Sequence, residues 1–102
     1  MNAYIYWLKT EEGGRATPIK LDIMNDKSYW ANTDEIDGVV YSIGIYSDKD
    51  VNIYPGESGN FRLGFIDKDI GIKLQPEDHF HICEGKKIIA RATIIPALWK
   101  DR

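Results

Sequence analysis

The chain has 102 residues, with 13 Lys+Arg against 16 Asp+Glu and a formal net charge of −3. That length corresponds to one domain, and an apolar content of 43% with 12% aromatic residues excludes a disordered tail. The mildly acidic balance also excludes a general-purpose nucleic-acid binder, because phosphate affinity needs clustered positive charge; no DNA partner is expected.

Residues 3–9 predict a strand, and their apolar run of about six residues is too short for a signal-peptide core. No run approaches the ~20 apolar residues that span a bilayer, so no membrane partner is expected. The single cysteine, Cys83, rules out an intramolecular disulfide. A cytoplasmic protein is the expectation. Thr17 to Ile23 predicts a second, weaker strand, with Ile19, Leu21 and Ile23 alternating. Val39 to Tyr46 predicts a strong strand that places Val39, Tyr41, Ile43 and Ile45 on one face. Phe61, Leu63 and Phe65 alternate likewise, Phe80 and Ile82 begin another strand, and Ile88 to Ile95 is the last. Turn signals stand between them at Gly13-Gly14, Pro55-Gly56 and Glu84-Gly85. A helical turn is predicted only within Ile66 to Gln75. Short strands at this spacing argue for a sandwich or a closed barrel.

Three motifs stand in order along the chain. The first is Leu8-Lys9-Thr10-Glu11-Glu12-Gly13-Gly14-Arg15-Ala16-Thr17-Pro18. The second runs from Tyr29-Trp30 through Asp34-Glu35-Ile36-Asp37-Gly38 to Val40, followed by Ile53-Tyr54-Pro55-Gly56-Glu57. The third is Phe80-His81-Ile82-Cys83-Glu84-Gly85-Lys86-Lys87-Ile88-Ile89-Ala90. Together they resemble the third, C-terminal β-barrel domain of bacterial elongation factor Tu, over about Ala3 to Ile95. The resemblance implies an all-β fold, a six-stranded antiparallel barrel of Greek-key type, here as a stand-alone domain over residues 1–102. It implies no catalysis and no cofactor, since the family's GTPase chemistry lies in another domain. No Gly-x-x-x-x-Gly-Lys-Ser/Thr loop occurs in this sequence.

In that family the domain touches the acceptor and T stems of tRNA. Carried over residue by residue, Arg15, Glu84 and Gly85 match the RNA-contacting pattern. Ala16 stands where the family has histidine, and Asp37 where it has threonine. A carboxylate facing phosphate is repulsive, and Asp34, Glu35 and Asp37 make that loop acidic. The resemblance therefore implies tRNA binding that is weakened or lost.

His79, His81 and Cys83 sit at i, i+2 and i+4, so one strand would present all three on one face. Two histidines and a thiol fall short of a closed four-ligand set, and a polar outer face is expected rather than a metal. Cys83 as a nucleophile would have only His81 as a partner, with nothing to complete a triad. Lys86, Lys87 and Arg91, beside Arg62 and Arg15 in the family's fold, form a small basic cluster that reads as a solvated hairpin tip. Trp30 is expected to be structural. Trp7, Leu98 and Trp99, with the acidic Asp34, Glu35 and Asp37, are the candidates for a protein interface; Leu98 and Trp99 fit a plug for a barrel end equally well. The expected function is non-enzymatic binding through a protein interface, of the small acidic inhibitor or immunity type, or as a mimic of elongation factor Tu. The alternative is an RNA-binding translation accessory.

Overall fold

A computed structural model describes residues 1–22, 28–47, 49–65 and 74–96. Among the described residues the strands are β1 (Asn2–Trp7), β2 (Ile19–Leu21), β3 (Tyr29–Thr33), β4 (Ser42–Tyr46), β5 (Val51–Ile53), β6 (Ser58–Phe65), β7 (His79–Glu84) and β8 (Lys87–Ile95), with a 3₁₀ turn at Thr10–Glu12. Six of them close into an antiparallel barrel in the order β1–β6–β4–β3–β7–β8, with β8 returning to β1. The consecutive barrel strands β3, β4 and β6 lie side by side, and β7 returns beside β3, which is Greek-key order. Strands β2 and β5 form a separate two-stranded sheet.

Alternation along β1 turns Ala3, Ile5 and Trp7 inward and Tyr4 and Tyr6 outward. Across the β1–β8 seam the inward partners are Ala3 with Ile94, Ile5 with Ala92, and Trp7 with Ala90. Each large side chain thus meets a small one, which lets a narrow barrel fill without voids. Ile43 and Ile45 from β4, Leu63 from β6, and Phe80 and Ile82 from β7 pack into the interior with Tyr41, Leu74 and Ile89. Ile19, Leu21 and Ile53 of the small sheet join the same core.

The structure departs from the sequence reading at several places. Val39 is not on the core face: β4 begins at Ser42, and Asp37 and Gly38, with φ of 51° and 82°, turn the chain between Ile36 and Val39. Two successive positive φ values on Asp-Gly are what a type I′ hairpin turn needs. Strands β3 and β5 are additional to the predicted set. Ile23 and residues 66–73, most of the predicted helical turn, lie outside the described residues. The Pro55-Gly56 turn is as expected, with Gly56 at φ 92° and the Glu57 N–H donating to the Tyr54 carbonyl at 3.1 Å.

On the outer wall the Trp30 and Tyr46 rings meet edge to face at 6.2 Å. They cover Gly44, where a Cβ would come within 3.0 Å of both. Trp30 is structural in this sense, although half of it stays exposed.

Gly14 is held by a closer approach. A Cβ there would stand 2.1 Å from the Leu8 carbonyl oxygen, which is backbone and cannot swing away. Gly13, at φ 97°, has open space around it and needs only the left-handed conformation. Gly14→Ala is therefore expected to destabilise the fold by about 3 kcal/mol, and Gly13→Ala by only about 1–2 kcal/mol. Urea unfolding of the two variants checks the order.

Candidate functional site

The first motif folds into a loop that is bound to the barrel wall at several points. The Glu12 carboxylate accepts from the Lys9 N–H at 2.8 Å and from the Tyr6 hydroxyl at 2.6 Å, fixing the 3₁₀ turn to β1. These bonds hold the Glu12 carboxyl below its ordinary range, the Tyr6 hydrogen bond first among the causes. The Gly14 N–H donates to the Lys9 carbonyl at 2.9 Å. The Thr10 hydroxyl donates to the Arg15 carbonyl at 2.8 Å, so the backbone aims Arg15 back at the barrel.

Arg15 reaches Glu84 at the end of β7. Its Nη1 donates to the Glu84 carboxylate, and the Tyr29 hydroxyl of β3 donates to the same oxygen. The guanidinium also donates to Thr17 at 3.1 and 3.2 Å and lies 5.7 Å from the centre of the Tyr29 ring. Next to this cluster Asn32 clamps the β7–β8 turn. It accepts from the Gly85 N–H and donates to the Gly85 carbonyl, both at 3.0 Å. Gly85 has φ 65° at the first central position of that two-residue turn, where a type II′ geometry needs it. The three residues carried over as RNA contacts are thus brought together, but with their polar groups already engaged inside the chain. Tyr29 and Asn32 complete the cluster and were not singled out from sequence. Ala16 is exposed beside it.

The predicted interface residues divide. Trp7 is a correction: it is 3% exposed, because strand alternation turns it into the core, where it meets the Phe61 and Tyr29 rings edge to face. Asp34 is partly buried and tied to β7, its two carboxylate oxygens bonded to the His81 N–H at 3.0 Å and the His81 Nδ1 at 2.9 Å. Glu35 and Asp37 are exposed on the β3–β4 hairpin. Beside them Val39 and Val40, at 44% and 53%, are exposed too. Leu98 and Trp99 lie outside the described residues.

His79, His81 and Cys83 do not act as one set. His79 Nδ1 bonds Thr93 Oγ1 at 2.9 Å, His81 is held by Asp34, and Cys83 is 4% exposed. Burial first and the Asp34 charge second push the Cys83 thiol above its ordinary range, which opposes the thiolate a nucleophile or metal ligand requires. Among the described residues no group of three His, Cys, Asp or Glu side chains is placed to hold a metal. The basic residues are dispersed as well. Lys86 and Lys87 lie at the hairpin tip, Arg15 is paired, Arg91 faces Tyr6 on β8, and Arg62 lies on β6 opposite Asn2.

Burial, then the hydrogen bond to Glu84, then the Glu84 charge push the Tyr29 phenol well above its ordinary 10.0. Above pH 10 the unfolded chain releases this proton while the folded chain keeps it. The folded state then binds more protons, so stability falls as pH rises. Denaturant midpoints measured from about pH 8 to 11 are expected to hold to about pH 10 and then decline for this reason, and Glu84→Gln, which removes the charge while leaving an oxygen that can accept from Tyr29, is expected to lessen the decline.

A scan against protein-family models and a search of curated proteins each find no match to this chain.

Proposed function

We propose that this chain is a non-enzymatic binding protein that docks a partner protein with a basic surface onto its β3–β4 hairpin. The observation that carries this reading is the exposed pair Val39 and Val40 beside the exposed carboxylates Glu35 and Asp37. An apolar centre with a charged rim is the usual anatomy of a protein interface. The hairpin is built to be stiff: the Asp37-Gly38 turn closes it, and the buried Thr33 hydroxyl accepts from the Tyr41 N–H at 3.1 Å and donates to the Asp34 carbonyl at 2.7 Å. A rigid loop loses little conformational freedom on binding. The net charge of −3 favours a positive partner and steers its approach.

The partner classes that fit are those of a small acidic inhibitor or immunity protein, or of a mimic that occupies a docking surface for elongation factor Tu, acting in the cytoplasm. The resemblance to that factor's third domain supports the second version. The engagement of Arg15 with Glu84 and of Gly85 with Asn32 weighs against the tRNA role, since a phosphate would have to displace bonds already made.

Affinity capture with tagged protein, with and without ribonuclease, names the partner, and variants test the surface. A basic protein retained after ribonuclease is expected, with an association rate that falls with salt and falls further in Glu35→Lys. Val40→Ser is expected to raise its dissociation rate about tenfold. Retained tRNA, with protein lost on ribonuclease treatment, or a partner indifferent to both variants, would refute the reading.

A further inference from the structure

We draw no further inference here: the strongest candidate, the cleft lined by Trp7, Leu8, Arg15, Thr17 and Tyr54, carries nothing, because its volume of about 10 Å³ holds one water molecule, and a Trp7 indole N–H that lacks a partner among the described residues selects no ligand larger than that.

Discussion

Glu84 is the point at which three distant parts of the chain meet. Its carboxylate takes a hydrogen bond from Arg15, 69 residues earlier, and from Tyr29, 55 residues earlier. The first motif reaches Arg15 only because Gly14 lets the backbone pass against the Leu8 carbonyl. The third motif presents Glu84 only because Gly85 turns the chain there and Asn32 grips both polar groups of its peptide. A lone surface ion pair contributes little to stability. This one is partly buried, shares an acceptor with a tyrosine and closes a long loop, so its loss frees more than two side chains.

The cluster changes how the motifs read. Glu12, Gly13, Gly14, Arg15, Glu84 and Gly85 each have a role inside the barrel: a carboxylate binding the 3₁₀ turn to β1, two glycines for backbone geometry, an ion pair and a turn. The fold alone therefore accounts for these residues. Outside the motif cluster, exposed apolar and acidic side chains lie on the β3–β4 hairpin, with Glu35, Val39 and Val40.

Much of the barrel was legible in the sequence, for definite reasons. The period-2 patterns of β1, β4 and β8 mark walls with one face buried, and Pro55-Gly56 and Glu84-Gly85 announce their turns. Strand β3 was missed because its outer face carries Trp30 packed over Gly44, which blurs the alternation. Strand β5 has only three residues. Val39 continued an apolar alternation but lies just past an Asp-Gly turn; that dipeptide was the signal that the chain reverses there. The candidate site was less legible. The pairing of Arg15 with Glu84 spans most of the chain, and no local pattern encodes it. The outer wall of β1, β8 and β7 required the register: Arg91 stands beside Tyr6, and Thr93 beside Tyr4, only when β1 is set against β8.

A double-mutant cycle on Arg15 and Glu84, measured by denaturant unfolding of Arg15→Ala, Glu84→Gln and the double variant, tests most directly the claim that these residues serve the fold. A favourable coupling of about 1 kcal/mol between the two sites is the predicted result. Coupling near zero, with both single variants as stable as the parent, would contradict it and return the two residues to the set available for a ligand.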